Sequence, residues 1–257
     1  DSNCSTGLIF KAHEVNKDER TSLNLTSIKP FKLPHSFTLE FDLKLRTAYH
    51  SYGYVFRIIA NDTVSLDMIS DIGTNRINVI LNNLKGAKAA SDFPFEKSCV
   101  ENQWVKIIVK VERDSIKYSI KGEEKVINST FVNPKEWKIF FGANKHEHFY
   151  TSDVPPMSIK NLIIRDQRGK PVYKWSMSMH GDDIVYDDIN NFPAIALNSL
   201  WELDKHTKWK KEISLTTKHK TPQITYDTIN ARIFTALKDS LYIINIRNKK
   251  IERFKVE

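Results

Sequence analysis

Acidic residues at alternate positions of an extended segment share one face. Two carboxylates on one face, about 5 to 5.5 Å apart, are what retaining cleavage of a glycosidic bond requires. Two stretches of this 257-residue chain come near that arrangement. In LEFDLKL, Glu40 and Asp42 alternate, but Lys44 and Leu45 follow where a further acid would tune the pair. In SLDMISD, Asp67 stands alone between Ser65 and Ser70. Neither stretch supplies the set, so no catalytic residue is expected, and Glu40 and Asp42 read as solvent-facing sheet residues paired with Lys44 or Arg46. HEH at 146–148 places His146 and His148 where both imidazoles could face one side of a strand or loop, as metal ligands must. Exposed loop histidines are commoner, and no metal site is expected there. Trp137, preceded by NPKE, and Tyr150, within KHEHFYTSD, lie beside turn signals. Aromatic rings so placed stack on sugar rings while Asn, Asp, Arg and His hold the hydroxyls.

Other chemistries lack their residues. There is no GxSxG elbow, no HExxH and no phosphate-binding glycine loop in a chain with only 8 Gly. No CxxC pair or Cys-His cluster has zinc spacing. Cys4 and Cys99 allow either one disulfide, closing a loop of about a hundred residues in an oxidising compartment, or two unrelated buried thiols. Net charge is +8, and residues 200–257 hold 13 Lys and Arg against 7 Asp and Glu, a surplus of 6. No helix-turn-helix, zinc finger or aromatic RNA-binding motif accompanies that surplus, so no nucleic-acid partner is expected, and lysines along strand edges also prevent aggregation. No apolar run approaches the roughly 20 residues of a membrane span, and DSNCSTGLIF lacks the pattern of a signal peptide. Asn-x-Ser/Thr occurs at Asn3, Asn24, Asn61 and Asn128, which in a eukaryotic secreted protein would mark surface loops.

The elements that must position these residues are strands. In SFTLEFDLKLR, Phe37, Leu39, Phe41, Leu43 and Leu45 alternate with polar residues, the period of a strand covered on one side. YVFRIIA, VSLDMI, RINVILNN, WVKIIVKVER, SIKYSIKG, KIFFGA and MSIKNLIIRD follow, divided by polar turns such as DIGTN and RDS. The pattern predicts an all-β sandwich of two antiparallel sheets, with Trp104 in its core.

Across residues 7–168, SFTLEFDLKL, the NQWVKIIVKVERDSIKYSIKGEE hairpin and the closing IFFGANKHEHFYTSDVPPMSIKNLIIRD resemble the laminin-G-like and concanavalin A-like lectin/glucanase domains. The resemblance implies a jelly-roll sandwich. Glucanases of this fold carry Glu-x-Asp-x-x-Glu or Glu-x-Asp-x-Glu on a strand, and here Ser65 and Ser70 replace the outer acids. Some laminin-G domains bind calcium, which would make Asp153 a candidate ligand; one acid is too few for an ion that takes six to eight oxygens, so no cofactor is expected. The ligand-binding candidates are Trp137, His146, His148, Tyr150 and Asp153.

Residues 169–220 read as a connector, with Trp175, Trp201 and Trp209 burying it against its neighbours. Residues 221–257 contain ARIFTALKDSLYIINIRNKKIERF, three strands and two polar turns, similar to one blade of a kelch-like β-propeller lacking its fourth strand. A laminin-G-like domain leading into a propeller resembles the start of surface or envelope sensor proteins of Bacteroidetes. The resemblance thus implies a non-catalytic, extracytoplasmic recognition module with a glycan as partner and a propeller downstream. Two alternatives stay open: a structural or protein-interaction module without a sugar ligand, and a glycoside hydrolase with an unrecognised site.

Overall fold

The computed structural model describes residues 7–46, 48, 50–71, 74–94, 102–177, 183–202, 223–227, 232–237, 239–245 and 250–255. Cys4, Cys99, Asn3 and Trp209 lie outside the described residues. The chain divides into two compact units, residues 1–204 and 205–257.

In the first unit the strands are β1 (Gly7–Ile9), β2 (Ser22–Asn24), β3 (Phe37–Leu45), β4 (Gly53–Ala60), β5 (Val64–Asp71), β6 (Arg76–Asn83), β7 (Gly86–Pro94) and β8 (Val105–Val111). They continue as β9 (Ile116–Ile120), β10 (Glu123–Ile127), β11 (Trp137–Gly142), β12 (Met157–Asp166), β13 (Pro171–Trp175), β14 (Ile184–Tyr186), β15 (Pro193–Leu197) and β16 (Leu200–Glu202). One sheet runs β10-β9-β8-β3-β12-β1-β16, with β13 also on β12. The other runs β14-β15-β2-β11-β4-β5-β6-β7. The pairings within both are antiparallel, and the unit is the expected jelly-roll sandwich. Among the described residues there is no α-helix, and no helix is long and apolar enough to cross a membrane.

Alternation builds the core. β3 buries Phe37, Leu39, Phe41, Leu43 and Leu45 and turns Thr38, Glu40, Asp42 and Lys44 outward. From the facing sheet, Phe56, Ile58, Leu66, Met68, Ile139 and Phe141 meet them. Edge-to-face rings join the layers, with Phe41 at 5.9 Å from Phe56 and 5.1 Å from Phe141.

The expected connector is largely sandwich. β13 and β16 complete the first sheet and β14 and β15 extend the second, while Trp175 and Trp201 join the core cluster. These strands are only three to five residues long, too short for their periodicity to announce a sheet, and the free edges of β12, β1 and β2 recruit them. Trp104 also departs from expectation. It is half-buried on the outward side of the first sheet, its ring between Lys44 Nζ at 4.6 Å and Lys160 Nζ at 4.4 Å.

The second unit holds four strands rather than three: β17 (Gln223–Asp227), β18 (Arg232–Leu237), β19 (Ser240–Asn245) and β20 (Lys250–Lys255), paired antiparallel in chain order. The added strand QITYD alternates over five residues only, which hid it in the sequence.

Candidate functional site

Strands β2, β11, β4, β5 and β6 lie side by side, so their outward residues form rows across the sheet. Register sets Asn24 beside Phe140, Phe140 beside Arg57, Arg57 beside Asp67, and Asp67 beside Ile80. A neighbouring row places Ile59 beside Ser65 and Ser65 beside Asn82. Alternation puts Ser70 on the inward side with Leu66 and Met68, so Ser65 and Asp67 do not share a face with it.

The middle of this face holds a buried ion pair. Arg57 is 5% exposed and Asp67 1%. Arg57 Nε donates to Asp67 Oδ1 at 2.6 Å and Nη2 to Oδ2 at 2.8 Å, a bidentate fork, while Nη1 donates to the Phe149 carbonyl. Asn82 Nδ2 donates to Asp67 Oδ2 at 2.8 Å. The Tyr54 ring lies 4.4 Å from the guanidinium carbon. Burial lowers the guanidinium pKa, but the hydrogen bonds and charge of Asp67 outweigh it and hold Arg57 above the usual arginine value. With both its oxygens engaged by hydrogen-bond donors, Asp67 is poorly placed to act as a nucleophile or a base.

Residues 143–153 fold back over this face from the end of β11. Gly142 permits the departure: its φ is +67°, and a Cβ there would sit 2.6 Å from the Thr21 carbonyl oxygen and 2.7 Å from the Phe10 ring. Asn144 and Thr151 exchange backbone hydrogen bonds of 2.9 and 3.2 Å, which pinches the loop closed. His148 N donates to His146 Nδ1 at 3.3 Å, so the imidazole proton sits on Nε2, 2.8 Å from Asp62 Oδ1. Lys138 also reaches Asp62, at 2.8 Å. Burial raises the Asp62 pKa, yet the hydrogen bonds from Lys138 and His146 pull it below the usual aspartate value.

Anchored in this way, the loop divides the face into two recesses, and Tyr150 lines both. One has a volume of about 360 Å³, with Asn24, Phe140, Ile195 and Leu197 among its lining and Lys17 and Lys145 also contributing. The other, about 500 Å³, lies beside Tyr54, Arg57, Asn82 and His148. Both volumes fall within the roughly 300–1,000 Å³ of small-molecule sites.

Of the five candidates read from the sequence, three lie between the pinch points Asn144 and Thr151. Tyr150 is 61% exposed, His148 lines the larger recess, and His146 is the buried anchor to Asp62. Trp137 is a correction. It is fully buried, its ring at 4.8 Å from both Phe37 and Phe131, because inward alternation of β11 sends it into the core. A ring with no exposed surface stacks on no sugar. Asp153 lines neither recess and lies 3.6 Å from Arg20 Nη1 and 3.9 Å from His13 Nε2. Among the described residues no three His, Cys, Asp or Glu gather as metal ligands do. The sequence reading missed Arg57 and Asn82, although an arginine inside YVFRIIA and an aspartate inside VSLDMI, each in an apolar strand, are the signal of a buried pair. It also missed Asn24 as a lining residue, whose Oδ1 accepts from Thr26 N at 2.9 Å.

Comparison with solved structures bears on the fold alone. The mouse laminin α1 chain, domains LG4-5, superposes with a TM-score of 0.50 at 10% identity, over 73% of this chain and 47% of that one. The fold is a concanavalin A-like jelly roll. The chain spans about half the length of that laminin pair. A carbohydrate binding module, CBM66, from Bacillus subtilis gives 0.38 at 9% identity, over 52% of this chain and 76% of that one. A glycoside hydrolase family 16 endo-glucanase from Bacteroides ovatus gives 0.42 at 12%, over 60% and 77%. At these identities the likeness is one of fold, and a fold does not choose between binding and hydrolysis. No protein-family model matches the sequence, and no curated protein matches it.

Proposed function

We propose that the first unit is a non-catalytic glycan-binding module that captures sugar on the outward face of its second sheet, around Tyr150. The observation that carries the reading is the position of that ring: exposed, held on a pinched loop, and lining two recesses edged by amide, hydroxyl and charged side chains. Sugar faces present C–H groups to an aromatic plane while their hydroxyls need donors and acceptors at its edge. The commitment of Asp67 to Arg57 and Asn82 supports the non-catalytic reading.

The same proposal places the chain outside the cytoplasm, as the N-terminal part of a larger sensor or receptor. The second unit would then be the first blade of a propeller. Its four strands follow chain order, and Ile224, Tyr226 and Ile251 on one face and Phe254 on the other are exposed where neighbouring blades would cover them.

Affinity electrophoresis of the full chain through gels containing neutral and acidic polysaccharides tests the binding reading. Retardation by at least one polysaccharide is expected, and Tyr150→Ala should weaken it by about tenfold or more without changing the melting temperature. Unretarded migration throughout, or a Tyr150→Ala variant that binds like the parent, overturns it.

A further inference from the structure

The two recesses beside Tyr150 differ in charge. In the larger, the cation is Arg57, already neutralised by Asp67. The lining of the smaller carries Lys17, Arg20 and Lys145 against Asp18 alone. Lys17 sits on a 3-10 turn, Lys17–Glu19, closed by Asn16 N donating to Glu19 Oε2 at 3.2 Å, and Lys145 on the pinched loop. Both lysines are exposed, and among the described residues neither has an ion-pair partner.

Behind them stand two donors without acceptors. Arg20 is 9% exposed; its Nη1 donates to the Ser152 carbonyl at 2.7 Å and lies 3.6 Å from Asp153, but its Nε has no partner. Asn144 is 5% exposed, and its Oδ1 accepts from His146 N at 3.1 Å while its Nδ2 has no partner. Buried donors left unpaired are costly, and two in the lining of one cavity call for an oxygen-rich acceptor. Phe140, Ile195 and Leu197 add apolar surface to the same cavity.

We propose that this smaller recess takes a sugar ring bearing an anionic group, a carboxylate or a sulfate. The apolar side chains and Tyr150 take the ring, and Lys17 and Lys145 take the charge at the rim. Behind the rim, the unpaired Arg20 Nε and Asn144 Nδ2 of the same lining add positive potential toward the ligand oxygens. The larger recess, with its cation already paired, takes a neutral neighbouring ring. This inference rests on the glycan-binding reading of the sheet face and adds the ligand class to it.

The test uses the full chain on an array of uronate-, sialate- and sulfate-bearing oligosaccharides, each beside its carboxyl-reduced or desulfated counterpart, followed by calorimetric titration of the strongest pair. The acidic member should bind about tenfold or more tightly than its neutral counterpart, with the preference shrinking as salt rises. Whether carboxyl reduction or desulfation removes the preference identifies the anion. A Lys17→Gln, Lys145→Gln double variant should lose the preference, binding the acidic and neutral members about equally. Equal affinity for acidic and neutral members, or a double variant that keeps the preference, overturns the inference while leaving the glycan-binding reading standing. Silence across every glycan, acidic and neutral, removes both.

Discussion

The two outward faces of the sandwich handle charge in opposite ways. On the first sheet, Glu40 takes Arg165 at 2.7 Å, Asp42 takes Lys106 at 3.2 Å, Lys44 takes Glu202 at 2.7 Å, and Glu112 takes both Lys110 at 2.8 Å and Lys117 at 3.0 Å. These pairs are partly or largely solvated and, those of Glu112 apart, cross from strand to strand, covering the sheet with charge that is already satisfied. On the second sheet the central charge pair, Arg57 and Asp67, is sunk beneath a loop, and the uncommitted polar groups gather at recesses on either side. A face saturated with its own ion pairs offers a ligand little that water does not. A face with exposed aromatic surface and unpaired donors offers more, and for that reason the site is assigned to the second sheet.

The comparison can be broken at several levels. The largest effect should come from removing strands that both faces need. A chain ending at Gln167 lacks β13 to β16, which uncovers the edges of β12, β1 and β2, and it should lose its cooperative thermal transition by circular dichroism. A chain ending at Asp204 should keep it. Cooperative melting of the shorter chain at the parental temperature would detach residues 168–204 from the domain.

Next in size is the contrast between two aspartates. Asp67→Ala leaves Arg57 buried without its counter-charge and should cost about 3–5 kcal/mol in urea unfolding, whereas Asp42→Ala on the solvated face should cost about 0–1 kcal/mol. Replacing Arg57 and Asp67 together by leucine should recover much of the loss. Equal costs at Asp67 and Asp42 would erase the distinction between the faces.

The smallest effect is a pH dependence at the loop anchor. The folded Asp62 pKa lies below its ordinary value of 3.8, so its contribution is present above that pH and is lost as pH falls through the folded value. Since this carboxylate is 41% exposed, Asp62→Asn should cost about 0.2–1 kcal/mol near pH 7, the gap closing in acid below 3.8. A gap that persists unchanged to pH 2 would mean the anchor does not act through the Asp62 charge.

Much of the architecture was written in local order. The alternation of β3, β8 and β9 names the buried side chains one by one, because a strand's period of two leaves no choice once one face must be dry. The failed carboxylate set was equally legible, since Ser65 and Ser70 lack carboxylates wherever they lie. Tertiary structure decided what depends on strands far apart in sequence. Glu40 and Asp42 pair with Arg165 and Lys106 rather than Lys44 or Arg46, because cross-strand neighbours on one face are closer than residues two apart along a strand. Trp137 and Tyr150 both sit beside turn residues in the sequence, yet the inward parity of β11 buries one and the pinched loop after Gly142 presents the other. Arg20, Asn24, Asn144 and Asn198 meet at one recess only because β2 lies between β11 and β15, an order set by sheet closure and by no local signal.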